Sequence, residues 1–275
     1  MIDSSAPDST KQPLGTVEGT APLLEMVDVC HYFGGLAAVV NFNTRLYPNE
    51  LVGLIGPNGA GKSTVFNLLC GLYRPSEGEI RFDGVRVNGR RPHQITSLGI
   101  GRTFQNIRLW DALSVIDNLR IAHFSQMNYG ILDTFLMTSR LRQSERRVRE
   151  EALELLRLFG LERHADERPQ NLSYGVQRRV EICRALVMKP RLVLLDEPAA
   201  GMNQGEINEL LDLIRWVREQ FKVTIWIIEH QMRVIMGLCE RIQVLDFGEI
   251  IAEGTPEEIR NNPKVIEAYL GEDVS

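Results

Sequence analysis

A glycine-rich segment that begins at Gly56 carries the clearest chemical signal in the chain. It fits the pattern G-x-x-x-x-G-K-[ST] without a mismatch, with an apolar run before it and a helical pattern after it. Glycines let backbone N–H groups turn inward around phosphate oxygens, and the helix start adds a favourable dipole for anions. The segment is therefore predicted to bind the phosphates of a nucleotide. The residues of this phosphate loop are Gly56, Pro57, Asn58, Gly59, Ala60, Gly61, Lys62, Ser63 and Thr64.

Two side chains of the phosphate loop, and two carboxylates elsewhere, are expected to do the chemistry. Lys62 is expected to reach the β- and γ-phosphates, and the Ser63 hydroxyl is expected to ligate Mg²⁺. The apolar run over residues 192–195 ends in Asp196 and Glu197. We expect Asp196 to hold Mg²⁺ through water. Glu197 is expected to point elsewhere, because side chains alternate along a strand, and to polarise the attacking water.

A second helix start also has the features of an anion site. Residues 171–179 open a helix in which Ser173 is a natural N-cap residue. A helix start that contains Ser and Gly is a second cradle for an anion, yet one nucleotide does not need two cradles from a single chain. A nucleotide kinase shares the phosphate loop but does not explain residues 172–177.

Three continuous apolar runs are predicted to position these groups. Residues 51–55, 192–195 and 223–228 have the composition of strands that are covered on both faces of a sheet. Helical stripes follow the first two runs, and strand, helix and strand in this order imply a right-handed crossover and a parallel sheet. The first stripe is Val65, Leu68, Leu69 and Leu72, and the second is Ile207, Leu210, Leu211, Ile214 and Val217.

Short alternating segments predict a second, antiparallel sheet with one wet face. A strand pattern starts at about Leu23, and Ile80 and Phe82 alternate with polar neighbours. That alternation leads into Asp83 and Gly84, a strong hairpin turn signal.

The middle of the chain is predicted to be helical. Residues 108–189 contain no comparable buried strand, and their apolar spacing indicates amphipathic helices. We therefore predict an α/β fold with a mostly parallel core sheet, an antiparallel β subdomain and an inserted helical subdomain at about 106–190. Residues 1–22 are expected to be a disordered tail, and 23–275 a single domain. The Arg-rich stretch 139–151 is either a solvated helix face or a surface for an acidic partner.

The composition argues against several classes of protein. The 275 residues are 44% hydrophobic and 24% charged, as in ordinary globular proteins, and the net charge of −5 disfavours a protein that grips nucleic acid with its whole surface. The four cysteines lie too far apart for a zinc site and are expected to be reduced, mostly buried thiols. No segment has the pattern of a signal peptide or the roughly 20 apolar residues of a membrane helix.

Taken together, these motifs resemble the ATPases of the ATP-binding-cassette (ABC) family over about residues 23–271. In that family, the signature segment of one subunit caps the γ-phosphate that the other subunit holds in its phosphate loop. The resemblance implies that two chains sandwich two ATP molecules. The signature segment of this chain contains Ser173, Tyr174 and Gly175, which are then expected to bind the partner's nucleotide.

Other family positions follow from the same resemblance. Gln105 matches the glutamine that joins the nucleotide site and its metal to the helical subdomain, and His230 matches the histidine that senses the γ-phosphate. Phe33 occupies the place of the aromatic residue that stacks on adenine, with Tyr32 as the alternative. The resemblance thus implies a catalytic set of Glu197, His230, Lys62 and Gln105, and an Mg²⁺ set of Ser63, Gln105 and Asp196.

Four stretches are similar to one subgroup, the ATP-binding subunits of bacterial branched-chain amino-acid importers. They are residues 102–109, 172–175, 197–203 and 267–271. The extra helical stretch around residues 130–145 is typical of the same subgroup. Related cassettes power the transport of urea or other amides, or the export of lipopolysaccharide. These substrates are the alternatives to branched-chain amino acids.

The resemblance also implies an assembly. Its expected members are a second ABC ATPase subunit, either a homologous chain or a second copy, two transmembrane permease subunits and an extracytoplasmic solute-binding protein, with no nucleic acid. The chain is expected to be peripheral at the cytoplasmic face of the inner membrane. Residues 108–119 are the candidate docking surface for the permeases.

Three residues depart from the common family pattern. Tyr174 and Val176 stand where the usual signature has Gly and Gln, and Asn203 stands where an Asp is usual. Tyr174 and Asn203 are typical of the subgroup. Val176 removes an amide that helps to orient the ribose or the signature loop.

Two other classes of phosphate-loop protein match less well. Soluble ABC ATPases of DNA repair or translation carry long coiled coils or two fused cassettes, whereas this sequence has one phosphate loop and no sustained heptads. A regulatory module without hydrolysis does not need both Glu197 and His230.

Overall fold

Two sheets form the framework of the protein. The computed structural model describes residues 20–124 and 139–270. In these residues a four-stranded sheet has the order β2-β1-β4-β5, and a six-stranded sheet has the order β10-β9-β3-β8-β7-β6. The strands are β1 (Leu24–Phe33), β2 (Leu36–Leu46), β3 (Leu51–Ile55), β4 (Glu77–Phe82), β5 (Val85–Arg86), β6 (Ile100–Arg102), β7 (Leu192–Asp196), β8 (Thr224–Ile228), β9 (Arg241–Asp246) and β10 (Glu249–Gly254).

Helices cover the six-stranded sheet. Those of the described residues are α1 (Lys62–Leu69), α2 (Pro92–Ser97), α3 (Val115–Phe124), α4 (Ser139–Leu158), α5 (Tyr174–Leu186), α6 (Gln204–Phe221), α7 (Met232–Leu238), α8 (Pro256–Arg260) and α9 (Pro263–Leu270). Helix α1 and the antiparallel sheet share one hydrophobic core with one face of the six-stranded sheet, and helices α3 to α9 share a second core with the other face.

The six-stranded sheet is mostly parallel, as the sequence predicts. The pairs β3–β8, β3–β9, β6–β7 and β7–β8 are parallel, and β10 is antiparallel to β9. Every residue of β3, β7 and β8 is buried, because both faces of these strands are covered. The prediction of an α/β fold with a second, antiparallel sheet is confirmed.

Alternation along the central strands feeds the two cores. Leu192 and Leu194 of β7 face the core beside the antiparallel sheet, whereas Val193 and Leu195 face the helices. Fully burying a side chain of this size contributes about 2 kcal/mol, so both faces of the sheet are fixed by ordinary apolar packing. The strand ends are thereby held at fixed positions.

The hairpin predicted at Asp83 and Gly84 joins β4 to β5. Both turn residues have positive φ angles, 51° and 73°. Two consecutive residues in this conformation match the twist of the flanking antiparallel strands, which is why Asp-Gly is a reliable turn signal.

The prediction that Leu72 continues the first helical stripe is wrong. Helix α1 ends at Leu69, and Gly71 adopts a left-handed φ of 71° that turns the chain away. A Cβ at this glycine would lie 2.6 Å from the carbonyl oxygen of Arg90, so the turn is fixed by close backbone packing. Leu72 is consequently 52% exposed.

Helices α3, α4 and α5 occupy most of the described part of residues 108–189. Val115, Leu156 and Val180 contribute buried side chains from these three helices to one core. The limits of the predicted helical subdomain remain a prediction, and most of the stretch 130–145 lies outside the described residues. Across residues 20–124 and 139–270, no helix combines the length and the apolar character needed to span a membrane.

Candidate functional site

Three neighbouring strands deliver the candidate residues to one edge of the parallel sheet. Asp196 at the end of β7 pairs with Ile228 at the end of β8, and Ile228 pairs with Leu54 near the end of β3. The phosphate loop follows β3, Glu197 follows β7 and His230 follows β8. The carboxyl ends of parallel strands form the usual binding edge of such sheets, so the strand order itself brings these groups together.

Close packing fixes the path of the phosphate loop. Gly56 has a φ of 151°, and a Cβ there would lie 1.9 Å from the carbonyl oxygen of Leu245 in β9. Gly61 has a φ of 104°, and its Cβ would lie 2.3 Å from the carbonyl oxygen of Ala38 in β2. The loop is thus wedged between two strands at positions that only glycine fits.

The loop encloses a positive charge. The Lys62 ammonium is buried and donates hydrogen bonds of 2.7 Å to the carbonyl oxygens of Gly56 and Pro57. Ser63 is exposed and Thr64 is half-buried at the start of α1, beside this charge. A cation and a helix start together favour an anion at this position.

Asp196 has a cationic partner that sequence reasoning missed. The Arg102 guanidinium lies 2.8 Å from its carboxylate, and the two side chains are only 10% and 9% exposed. Arg102 also donates a 2.8 Å hydrogen bond to the Asn67 side chain on α1. Arg102 ends β6 one strand away from Asp196, and no motif in the sequence identifies such a cross-strand pair.

The direction of the Glu197 side chain has a cause other than the predicted strand alternation. Strand β7 has ended, and Glu197 adopts a left-handed φ of 45° while its N–H donates to the carbonyl oxygen of Ile228 at 2.9 Å. Strand alternation therefore does not set its direction. A left-handed glutamate is a strained backbone state of the kind that occurs at functional sites.

The Glu197 carboxylate is the meeting point of two other predicted residues. The Gln105 amide donates a 2.8 Å hydrogen bond to Glu197 Oε2, and His230 Nδ1 lies 3.5 Å from the same oxygen. The histidine side chain is about half exposed, whereas the glutamate is 17% exposed. The structure thus brings three of the four predicted catalytic side chains into one cluster.

A second glutamate, Glu229, lies behind this cluster and was missed. Its fully buried carboxylate accepts backbone hydrogen bonds from Ala199 at 2.8 Å, His230 at 3.2 Å and Gln231 at 3.4 Å. Burial raises the pKa of Glu229, and the hydrogen bonds from Ala199 and Gln231 oppose that shift. One carboxylate therefore joins the segment after Glu197 to the segment that carries His230.

The signature segment lies at the start of α5. Ser173 occupies the N-cap position, as predicted, but its side chain makes no capping hydrogen bond. Tyr174 is exposed, and its hydroxyl donates to the carbonyl oxygen of Ala200 at 3.0 Å. Gly175 is half-buried.

Two partly exposed aromatic side chains at the end of β1 could stack on a nucleobase. Tyr32 and Phe33 are 41% and 44% exposed. The Phe33 ring packs edge-on against Tyr73 and His31, with centroids 5.2 Å and 4.6 Å away. These contacts orient Phe33 and leave part of its ring open.

A groove of about 220 Å³ separates the core from the helical region. Residues 108–119, the predicted docking surface, do not line this groove. It is lined instead by Phe104, which precedes that segment in the chain, and by Ala122, which follows it. Leu72, which the end of α1 leaves exposed, lines it too. The groove therefore presents apolar surface next to residues 104–108, which form the Gln105 segment.

The family model described as ABC transporter matches residues 39–200 of the chain, and a model described as branched-chain amino acid ATP-binding cassette transporter matches residues 249–275. The chain is 46% identical to the high-affinity branched-chain amino acid transport ATP-binding protein LivG of Escherichia coli strain K12, over 91% of this chain and 98% of that protein. It is 43% identical to BraF of Pseudomonas aeruginosa, a protein with the same description, over the same shares.

Solved structures of ABC transporter cassettes have the same fold as this chain. A nucleotide-free ATP-binding cassette from an ABC transporter superposes with a TM-score of 0.79 at 29% identity, over 90% of this chain and 99% of that one. An ATP-binding cassette of an ABC transporter, described as in its ADP conformation, gives the same TM-score at 27% identity, over 92% of this chain and 100% of that one. The family match, the identity to LivG over nearly its whole length and the shared fold together show that the chain belongs to the ABC transporter family and is an ATP-binding cassette that hydrolyses ATP.

Proposed function

We propose that the chain hydrolyses ATP to power the import of branched-chain amino acids. The relatives LivG and BraF are both described as high-affinity branched-chain amino acid transport ATP-binding proteins. The match at residues 249–275 supports the same solute class, because it concerns the C-terminal segment and not the catalytic motifs.

The phosphate loop fits the triphosphate of ATP. Gly56 and Gly61 let the backbone approach where any Cβ would collide, and Lys62 supplies a buried cation within the loop. The open part of the Phe33 ring is suited to stack on adenine, with Tyr32 as its neighbour. Stacking is tolerant of base type, so a modest preference for ATP over GTP is expected.

The residues around Asp196 fit a magnesium ion. Mg²⁺ prefers oxygen ligands, and Ser63, Asp196 and the amide oxygen of Gln105 supply them. The Arg102 guanidinium pairs with one carboxylate oxygen of Asp196, Oδ2, which leaves Oδ1 as the oxygen for the ion. When bound with ATP, the ion neutralises charge on the β- and γ-phosphates.

Glu197 is the proposed group that orients and polarises the attacking water. Gln105 and His230 both contact one oxygen of its carboxylate, which leaves the other oxygen for the water. Lys62 stabilises negative charge on the transferring phosphoryl group, and His230 is suited to contact the γ-phosphate.

A second cassette completes the proposed site. Ser173, Tyr174 and Gly175 would contact the nucleotide held by the partner, and the partner's equivalent segment would contact the nucleotide held here. A cassette at 28% identity, with a TM-score of 0.69, is described as dimeric in a post-hydrolysis state bound to ADP and Pi. The partner is a homologous chain or a second copy.

The remaining proposed partners are two permease subunits and an extracytoplasmic solute-binding protein. The groove beside the Gln105 segment is the proposed permease contact, because it carries exposed apolar residues such as Leu72 next to the nucleotide site. In the proposed assembly, the chain is peripheral on the cytoplasmic face of the inner membrane.

The single observation that carries this proposal is the cluster of Gln105 and His230 on the Glu197 carboxylate beside the phosphate loop. Replacing Glu197 with Gln is expected to leave the Kd for ATP nearly unchanged and to lower kcat by about 10²- to 10⁴-fold. The matched control is Glu240→Gln, which removes a carboxylate immediately before β9, at the amino ends of the parallel strands and so away from the site. Turnover near the wild-type rate in Glu197→Gln would contradict the assignment.

The solute is tested by reconstitution. Vesicles that contain the permeases purified with this chain, supplied with ATP inside and the solute-binding protein outside, are expected to accumulate labelled leucine. Accumulation of urea instead, or export, would overturn the proposed solute while leaving the ATPase assignment intact.

A further inference from the structure

A closed ring of hydrogen bonds passes through the proposed catalytic cluster. The Gln105 amide donates to the Glu197 carboxylate at 2.8 Å, and Arg178 Nη2 donates to the Gln105 carbonyl oxygen at 2.9 Å. Arg178 Nη2 also donates to the Tyr174 hydroxyl at 3.0 Å, and that hydroxyl donates to the Ala200 carbonyl oxygen at 3.0 Å. The Ala200 N–H closes the ring on the Glu197 carbonyl oxygen at 3.2 Å.

The Arg178 side of the ring is rigidly held. Arg178 and Glu181 form a 2.6 Å ion pair in which both side chains are fully buried. Besides the bond to Tyr174, the pair binds the backbone of the Gln105 segment: Arg178 donates to the Phe104 carbonyl at 2.8 Å, and Glu181 accepts from the N–H groups of Phe104 and Arg108 at 3.3 Å and 3.4 Å. Breaking a fully buried pair would leave an uncompensated charge and is strongly destabilising, so the pair holds these backbone groups in place.

Tyr174 is the connection between Arg178 and the segment after Glu197. Its hydroxyl accepts one hydrogen bond and donates one, which is the natural use of a phenol between a cation and a carbonyl. A glycine at this position, as in the common signature, lacks both bonds and leaves the ring open. The ring is thus a property of this chain's own signature segment.

We propose that Tyr174 and Arg178 are positioning residues for ATP hydrolysis, because within one chain they hold the Gln105 segment and the segment after Glu197 in a fixed relative position. This inference rests on the proposed roles of Glu197 and Gln105. It assigns the Tyr174 hydroxyl a function on its own chain, in addition to any contact with the partner's nucleotide.

The first test is the Tyr174→Phe variant, which removes only the hydroxyl group and keeps the rest of this partly exposed aromatic side chain. Loss of one hydrogen-bonded connection is expected to lower kcat about three- to tenfold, with KM for ATP within about twofold of wild type. Tyr47→Phe, in the turn before β3, is the matched control and is expected to leave both constants unchanged. An unchanged kcat in Tyr174→Phe would overturn the proposal.

The second test uses hydrogen–deuterium exchange on the isolated, nucleotide-free cassette. The amides of Phe104, Arg108 and Ala200 are expected to exchange faster in Tyr174→Phe than in wild type. Unchanged exchange together with a lowered kcat would show that the hydroxyl acts only on the partner's nucleotide, and would overturn the proposal. This readout needs no turnover, so it separates failure of the ring from failure of the proposed Glu197 role.

Discussion

Two adjacent carboxylates at the end of β7 have different partners, and that difference separates their roles. Asp196 faces the buried Arg102 guanidinium, whereas Glu197 faces the neutral amide of Gln105 and the ring of His230. The separation arises because the backbone turns into the left-handed region at Glu197. One carboxylate is thereby suited to a metal, and the other to a water molecule.

The Arg102–Asp196 pair gives a prediction about stability. Arg102→Met is expected to lower the free energy of unfolding by about 3 kcal/mol without nucleotide, because Asp196 then loses the partner of a buried charge. Arg45→Met, which breaks an exposed pair with Glu25, is the control and is expected to cost less than about 1 kcal/mol. Urea unfolding measures both values.

Addition of Mg²⁺ and ATP sharpens this test. A metal ion at Asp196 replaces the lost positive charge, so the stabilisation by MgATP is expected to be larger in Arg102→Met than in wild type. Equal stabilisation of the two proteins would argue against a metal at Asp196.

The loops after β7 and β8 act as one unit because the Glu229 carboxylate bonds to the backbone of both. The backbone N–H groups of Ala199, His230 and Gln231 all donate to this one buried side chain. The left-handed Glu197 and the half-exposed His230 are thus supported from behind. This support explains how a strained turn keeps a defined geometry.

Burial of Glu229 predicts a pH dependence of stability. Because burial raises its pKa above the unfolded value of about 4.3, folding favours the protonated form. The contribution of this group to stability is full below about pH 4.3 and is lost as pH rises through the raised pKa. The stability of wild type relative to Glu229→Gln is therefore expected to fall as pH increases from about 4, in urea titrations at several pH values. A difference that grows with pH would contradict this assignment.

The start of α6 depends on Asn203. Its side chain accepts hydrogen bonds from the N–H groups of Gly205 at 2.9 Å and Glu206 at 3.1 Å, so it caps the helix that follows the Glu197 loop. Asn203→Ala is expected to lower the free energy of unfolding by about 1 kcal/mol, and Asn203→Asp to preserve it. Thermal unfolding of both variants checks this, and equal losses would show that the cap is not the cause.

At the scale of the whole molecule, the sheet and the phosphate loop were predictable because each rests on a local pattern. The apolar runs over residues 51–55 and 192–195 mark buried strands, and strand order then fixes which loops share an edge. Arg102, Glu229 and Arg178 were not predictable, since their importance depends on partners far along the chain. The error at Leu72 has a local cause, the left-handed Gly71.

We propose that two cassettes are needed to enclose each nucleotide. The phosphate loop and the Glu197 cluster lie at one sheet edge, while the signature segment opens α5 and contacts Ala200 of its own chain. The proposed closed state brings the signature segment of one cassette to the phosphate loop of the other. Glu197→Gln is the variant suited to hold that state, because it keeps ATP and stops turnover.

The most direct measurement is a cryo-EM or crystal structure of the Glu197→Gln assembly with ATP and Mg²⁺. We predict that each ATP touches residues 56–64 of one cassette and Ser173 and Gly175 of the other. A closed assembly in which each ATP is contacted by one polypeptide alone would contradict the account.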